Sequence, residues 1–321
     1  RRLAGTSAGS ITAALLAVGC NSEKLEKEQS KDFNEFLDPV DTFSKDLLES
    51  VEKQSPTRAG WAAVKEYFRS PGNPIAKGKA LGNSLLEMTA LCKGDALLTW
   101  ISTLIYEATD IPDCTFKDLH DLALKYPKKY KDLYVYALCL QENEAPKIVR
   151  FSYEDPLLRH VVIADAVRAS ASIPGVFQPH TLHLKLPGDK RHPRPDLGRF
   201  VDGGLVKNLP IDAFDENKYQ NEPQERGSKT NHRTLGFKFE TTTKPHFELD
   251  SAIGLGKAIV AAFYDSEEIL LAQTAQHEDR IVKIPIEETK ITELNFSEEK
   301  KQRSIKAAEE ALSFFLFSQQ G

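Results

Sequence analysis

Residues 5–9 place a serine between two glycines in the pattern G-x-S-x-G. A serine on a sharp turn between a strand and a helix projects its hydroxyl and can act as a nucleophile. Gly5 and Gly9 remove Cβ atoms that would collide with the neighbouring strand and helix. The helix N-terminus behind the turn favours a developing negative charge. Ser7 is therefore our candidate nucleophile, and the Ala8 backbone N–H is the candidate oxyanion donor. When the pattern is taken alone, a glycine-rich turn between a strand and a helix with an incidental serine is the alternative.

A serine nucleophile needs a base, and Asp202 is the candidate. It ends the short apolar run 200–201 and is followed by Gly203 and Gly204. An Asp at the C-terminal end of a strand can expose its carboxylate at the edge of the sheet where Ser7 would also lie. When this segment is taken alone, an ordinary Asp-Gly turn is the favoured interpretation, because such turns are common.

The elements around these residues alternate between strand and helix. Strands are predicted at 133–140, 147–151, 176–186, 200–201, 234–241 and 280–284. Helices are predicted at 10–18, 115–124 with Thr115 as N-cap, 161–170, 252–276 and 297–317. Such alternation favours an α/β fold with a mostly parallel central sheet.

Residues 21–112 do not follow this alternation. The segment is mostly polar and interrupted by Pro and Gly, except that 95–107 carries apolar residues at helical spacing. We expect 21–112 to be a helical insertion that covers one side of the sheet or forms a lid, and we expect no strand within it.

The bulk composition limits the classes of function. The chain has 321 residues, of which 40% are hydrophobic, enough for a sizeable core. A net charge of −5 provides no overall positive field for nucleic acid, and no stretch approaches the ~20 apolar residues of a membrane span. Scattered cysteines, with no metal-like pairing, indicate buried thiols in a reducing compartment and no metal site. They are Cys20, Cys92, Cys114 and Cys139.

Taken together, the pair G-T-S-A-G and D-G-G-x-x-x-N-x-P resembles the signature of the patatin-like phospholipases, in their bacterial form. The resemblance covers most of the chain and is weakest at 21–90 and 211–231. Further similar segments are K-D-L at 131–133, Phe151, R-A-S-A-S-I-P at 168–174, T-L-G-F at 234–237 and L-N-F-S at 294–297.

The resemblance implies one three-layer α/β/α domain over residues 1–321 and a Ser7–Asp202 dyad without a metal or cofactor. Ser7 would form an acyl-enzyme, and Asp202 would take the serine proton and later activate water. The substrates would be glycerophospholipids or lysophospholipids. The family carries a glycine-rich oxyanion loop some tens of residues before the elbow. The sequence starts without Met or a signal peptide, and we expect the first strand and that loop to be missing from it.

Two alternatives stay open. A Ser-His-Asp esterase would need a late histidine, and His232, His246 and His277 are available, although none lies in a typical catalytic turn. A non-catalytic binding module of the same fold is the other alternative. Arg168 is expected near the catalytic side, where it would hold a loop or a phosphate.

The expected partners are a phospholipid surface and a protein activator, with no nucleic acid. We expect a cytoplasmic or peripheral membrane protein with reversible attachment, including a bacterial effector that acts in another cell. Lysines at 125–131, with Tyr126 and Tyr130, could contact headgroups, but a solvated helix end is favoured. The phenylalanines at 314, 315 and 317 could enter a membrane or pack on a further domain, and packing is favoured.

Overall fold

A computed structural model describes residues 2–29, 31, 33–40, 45, 90–219, 230–241, 262, 278–286 and 298–318. The α-helices are α1 (Ala8–Ala17), α2 (Ser22–Gln29), α3 (Asp95–Thr109), α4 (Phe116–Lys125), α5 (Ile163–Ser170) and α6 (Glu298–Ser318). The strands are β1 (Arg2–Thr6), β2 (Ala90–Cys92), β3 (Asp132–Leu140), β4 (Lys147–Phe151), β5 (Gly175–Phe177), β6 (His183–Leu184), β7 (His192–Pro193), β8 (Arg199–Asp202), β9 (Gly236–Thr241) and β10 (Ile281–Ile286). The helix predicted at 252–276, apart from position 262, and the segment 294–297 lie outside the described residues.

The long buried strand β3 organises the central sheet. β1 runs parallel to its first half, up to the pair Thr6–Tyr136, and β8 runs antiparallel to its second half, down to the pair Asp202–Ala137. β4 pairs with 135–139 of β3 and therefore occupies the opposite edge. β1 and β8 thus share one edge of β3 end to end, and their C-terminal ends meet at adjacent positions.

The prediction of a mostly parallel central sheet is wrong for the described strands. β4 and β8 are both antiparallel to β3, and only β1 is parallel to it. The physical reason for β4 is the short connection 141–146, because a parallel partner needs a crossover of a dozen or more residues. Three separate pairs complete the described strands, with β2–β5 and β9–β10 parallel and β6–β7 antiparallel.

Two helices hold the ends of β1 and β8. α1 follows β1 directly and buries the small residues Ala13, Ala14 and Ala17, which let the helix lie close to its neighbours. Every residue of α5 is buried, polar ones included, and this helix contacts α1, α3, β3 and β8. A helix buried on all sides belongs to the interior of a domain.

Several local predictions are confirmed. Thr115 caps α4 in a capping box, because its hydroxyl accepts from the Asp118 N–H and the Asp118 carboxylate accepts from the Thr115 N–H. The predicted strands at 133–140 and 147–151 and the helix at 161–170 are present with shifts of one or two residues.

Two predictions are wrong. The continuous strand at 176–186 is split into β5 and β6, because Pro179 between them has no N–H for a ladder. The segment 21–112, where we expected no strand, contains β2, whose pairs are Ala90–Gly175 and Cys92–Phe177. A three-residue strand carries too little alternation to be recognised without its partner. Within this segment α2 and α3 are helical, as expected, while the lid and the three-layer arrangement stay predictions.

None of the helices in the described part of the chain is both long and apolar enough to cross a membrane.

Candidate active site

Ser7 and Asp202 meet where β1 and β8 end. The Ser7 Oγ donates a hydrogen bond to the Asp202 Oδ2 at 2.5 Å, across 195 positions of sequence. The Asp202 side chain is buried, while Ser7 is partly exposed. The arrangement therefore joins a hydroxyl that a ligand can reach to an acceptor shielded from water.

The backbone at Ser7 is strained in the way that a nucleophile elbow requires. Its φ of 53° and ψ of −132° place a non-glycine residue in a sparsely populated region. A Cβ on Gly5 would lie 2.3 Å from the Gly9 carbonyl oxygen, so Gly5 must be glycine for this turn to close. A Cβ on Gly9 would meet nothing within 4 Å, so the expected steric need for this second glycine is wrong.

The glycines after Asp202 serve its carboxylate in two ways. A Cβ on Gly203 would lie 2.4 Å from the Tyr136 carbonyl oxygen, which explains the glycine at this close approach to β3. The Gly204 N–H donates to the Asp202 Oδ1 at 2.7 Å. One carboxylate oxygen is thus held by the backbone while the other accepts from Ser7.

The C-terminal end of α5 supports both members of the pair. The buried Ser170 hydroxyl accepts from the Ser7 N–H at 2.9 Å and donates to the Tyr136 carbonyl at 2.6 Å. Two residues on, the Ser172 carbonyl accepts from the Asp202 N–H at 3.0 Å. Sequence reasoning gave these serines no role, although they lie in the segment R-A-S-A-S-I-P that carried the resemblance.

Arg168 anchors this support. The residue is 1% exposed, and its guanidinium donates to the carbonyls of Gly94 at 2.9 Å and Lys93 at 2.6 Å, and to the Ser172 Oγ at 2.5 Å. Burial lowers the pKa of Arg168 to about 10, which still leaves it charged near neutral pH. Arg168 therefore holds a loop, and at this burial it offers no surface to a phosphate.

The N-terminus of α1 presents amide groups beside Ser7. The first helical bond runs from the Ser10 N–H to the Ser7 carbonyl, and both Ala8 and Gly9 are exposed. Within the described residues the N–H groups of Ala8 and Gly9 have no protein acceptor, as the first turn of a helix leaves them. They lie at the positive end of the helix dipole, where an oxyanion would be stabilised.

The histidine alternatives receive no support from the described contacts. His232 is exposed and its Nδ1 lies 3.2 Å from the Asp279 Oδ2, so it is paired on the surface. His246 and His277 lie outside the described residues.

The remaining candidates from the sequence are the lysine-rich segment 125–131, the phenylalanines of α6 and the four cysteines. The Lys131 ammonium donates to backbone carbonyls of its own turn, and Lys129 donates to the Ala108 carbonyl. Phe314 and Phe317 are about three-quarters exposed on α6. All four cysteines are free thiols, and burial raises their pKa values.

One set of donor side chains could hold a metal ion, among the residues that the structure describes. It consists of Asp165, His180 and His183. These three residues form no recognisable ligand spacing in the sequence, so the set could not be predicted from it.

Comparison with known proteins places these features in a family. The model of the family described as patatin-like phospholipase matches residues 1–215. The chain is 24% identical over 329 residues to the uncharacterized protein YqhO of Bacillus subtilis (strain 168), covering 98% of this chain and 88% of that protein. It is also 24% identical over 264 residues to the uncharacterized protein L620 of Acanthamoeba polyphaga mimivirus. That match covers 80% of this chain and 63% of the viral protein.

Among solved structures, the type III effector protein ExoU matches with a TM-score of 0.45 and 16% sequence identity. The match covers 99% of this chain and 47% of that one, so the chain spans about half the length of the ExoU structure. The family assignment does not depend on this match, because the family model by itself covers more than half of the chain, including both strand ends that carry Ser7 and Asp202. This chain belongs to the patatin-like phospholipase family.

Proposed function

We propose that this chain is a serine-dependent acyl hydrolase that releases fatty acids from glycerophospholipids or lysophospholipids. Membership of the family implies a lipid ester hydrolase. The observation that carries the finer proposal is the 2.5 Å hydrogen bond from the Ser7 Oγ to the Asp202 Oδ2. This bond joins a partly exposed nucleophile directly to a buried carboxylate, with no histidine between them.

The reaction would proceed in two halves. Asp202 removes the Ser7 proton as the Ser7 Oγ attacks the ester carbonyl, and the lysophospholipid or glycerophosphodiester alcohol leaves with that proton from Asp202. Asp202 then takes a proton from the water that attacks the acyl-enzyme, and it returns this proton to the Ser7 Oγ as the fatty acid is released. No metal or cofactor takes part in either half.

The exposed N–H of Ala8 is the oxyanion donor that this geometry favours. It is the amide directly after the nucleophile, which contributes to the oxyanion hole in hydrolases with this elbow. The Ser7 N–H is excluded from that role, because it is already bound to the Ser170 hydroxyl.

The substrate is a lipid in an interface, and we propose that the chain acts there by peripheral, reversible attachment, with a protein activator. Fatty-acid release from mixed phospholipid vesicles tests the proposal, with and without added cell extract. We expect release by the wild type and a loss of about 1,000-fold or more in both Ser7→Ala and Asp202→Asn. Matched controls are Ser22→Ala and Asp196→Asn, which change exposed residues of the same types.

The outcomes separate the alternatives. If Ser7→Ala is inactive while Asp202→Asn keeps wild-type activity, the base is a different residue and a Ser-His-Asp esterase becomes the better explanation. If the wild type releases no fatty acid even with cell extract, a non-catalytic binding module becomes the better explanation.

A further inference from the structure

Three potential ligands converge at the N-terminal half of α5, away from the Ser7–Asp202 pair. The Asp165 Oδ1 lies 2.7 Å from the His180 Nε2 and 2.9 Å from the His183 Nδ1. The Asp165 side chain is fully buried, and the two imidazoles are 14% and 25% exposed. The three donor atoms all lie within 4.8 Å of one another.

The hydrogen-bond partners of Asp165 are unevenly divided between its two carboxylate oxygens. Both imidazoles and the more distant Arg191 Nη2, at 3.5 Å, lie at the Oδ1. The Oδ2 is buried and has no hydrogen-bond partner within the described part of the chain. A buried carboxylate oxygen without a donor destabilises the fold, because it has lost its hydrogen bonds to water and has formed none within the protein.

We propose that Asp165, His180 and His183 form a Zn²⁺ site. Two imidazole nitrogens and one carboxylate oxygen are the donors that zinc takes in proteins, and water can complete a tetrahedron. With metal–ligand bonds of about 2.0–2.1 Å, tetrahedral donors lie roughly 3.3 Å apart. The present separations of the Asp165 oxygen from the imidazole nitrogens need to open by only a few tenths of an ångström.

Arg191 competes with a bound cation for the His183 nitrogen. Its Nη2 lies 3.3 Å from the His183 Nδ1, and its positive charge opposes a cation at that nitrogen. Its Nη1 also donates to the Asp113 Oδ1 at 3.2 Å, and its side chain is 26% exposed. Arg191 can therefore stay with Asp113 when zinc binds, and its removal should strengthen zinc binding.

The site would stiffen the support of the dyad without joining the reaction. His180 exchanges two backbone hydrogen bonds with Phe200, at 2.8 and 2.9 Å, two residues before Asp202. Asp165 lies on the same helix as Ser170, which holds the Ser7 N–H. An ion at this position would clamp the strand that bears the base to the helix that supports the nucleophile.

Zinc binding to the whole chain tests the proposal. The protein is stripped with a chelator, dialysed against Zn²⁺ and analysed for metal by atomic emission, and Co²⁺ is used as a spectroscopic probe of tetrahedral coordination. We expect one Zn²⁺ per chain and a higher melting temperature. His183→Gln, at the most exposed ligand, should lose the ion while remaining folded, and His192→Gln, on the exposed rim, should keep it.

Arg191→Gln sharpens the test, because it should bind Zn²⁺ at least about tenfold more tightly once the competing charge is removed. If the wild type and Arg191→Gln both stay free of zinc, the proposal fails. It also fails if His183→Gln binds as much zinc as the wild type. In either case the three residues form a hydrogen-bonded cluster only. None of these readouts depends on hydrolytic activity, so the result is separate from that of the vesicle assay.

Discussion

The two ends of α5 hold two buried carboxylate sites that are built differently. Near its C-terminal end, Asp202 has a donor at each oxygen, the Gly204 N–H at one and the Ser7 hydroxyl at the other. Near its N-terminal end, Asp165 has two imidazoles at one oxygen and, among the residues that the structure describes, no hydrogen-bond donor at the other. The first carboxylate is held in one orientation, and the second retains capacity for a ligand.

The difference shows how one helix can serve two purposes. A catalytic pair of the kind we propose must be kept in position, and the donors around Asp202 are a backbone N–H and a hydroxyl on the Ser7 turn. The donors around Asp165 are side chains of the less regular segment 178–193. We therefore expect changes at the first site to act on the reaction and changes at the second to act on stability.

The largest expected effect separates the two carboxylates directly. Asp202→Asn should lower kcat by about 1,000-fold, because an amide cannot take the serine proton. Asp165→Asn should lower the free energy of unfolding by about 3 kcal/mol, because it disrupts a buried charge network, while the folded fraction keeps its kcat. Vesicle assays and urea unfolding of both variants give the two quantities. If Asp165→Asn lowers kcat as much as Asp202→Asn does, the prediction that only the Asp202 site acts on the reaction is wrong.

A second prediction concerns the two glycines of the elbow. Gly5→Ala should destabilise the fold by about 3 kcal/mol or more, because its Cβ would overlap a backbone carbonyl that cannot move freely. Gly9→Ala should leave stability unchanged or raise it by up to about 1 kcal/mol, because the site is open and alanine favours a helix. Thermal unfolding of both variants decides the matter, and equal losses would contradict the steric explanation.

A third prediction separates the two serines after Arg168. Ser170→Ala should lower kcat about tenfold with little change in KM, because the Ser7 N–H and the Tyr136 carbonyl lose their shared partner at a cost of about 1–2 kcal/mol. Ser172→Ala should leave kcat closer to that of the wild type, because Asp202 is held by the backbone carbonyl of Ser172 and not by its hydroxyl.

The control for this pair is the melting temperature. Both serines are buried, so both variants should lose stability, and only Ser170→Ala should show the additional loss of kcat. If the two variants lose kcat equally, Ser170 acts through the fold alone and not by positioning the nucleophile.

The smallest expected effect is the pH dependence of the second site. Burial lowers the pKa of His180, so the unfolded chain takes up its proton at a higher pH than the folded chain. Stability from this group is therefore fully present above the unfolded pKa of about 6.5 and is lost as the pH falls toward the folded pKa. The charged groups that act on His180 are Asp165, which favours its protonation, and Arg168 and His183, which oppose it.

Urea unfolding between pH 8 and pH 5 measures this loss. The decline should be shallower in His180→Gln, and an unchanged slope would assign the decline to other groups.

Asp165 itself acts in a lower pH range. Burial opposes its ionisation, but hydrogen bonds from His180 and His183 hold the pKa of its carboxyl below the ordinary value. Its contribution is present above about pH 4 and is lost only in more acid solution.

Much of the site could be predicted because its signals are local. The turn at Ser7 is set by residues close in sequence, Gly5 and Gly9 among them, and the Thr115 cap depends on a partner three residues away. The α/β alternation likewise follows from the periodicity of each segment. The close approach at Gly203 is different, because it is made to Tyr136 on β3. The parallel sheet was predicted wrongly because strand direction depends on which strands become neighbours, and periodicity does not contain that information.

The sequence by itself determined the candidate nucleophile, its candidate base and the glycine at position 5 that the turn needs. Tertiary structure alone decided that β1 and β8 share one edge of β3, which brings Ser7 to Asp202 across 195 positions. It also decided that Ser170 holds the Ser7 N–H and that Asp165 gathers two histidines. The physical reason is range, since backbone conformation is fixed by neighbours along the chain, whereas strand register and buried hydrogen bonds are fixed by the packing of distant segments.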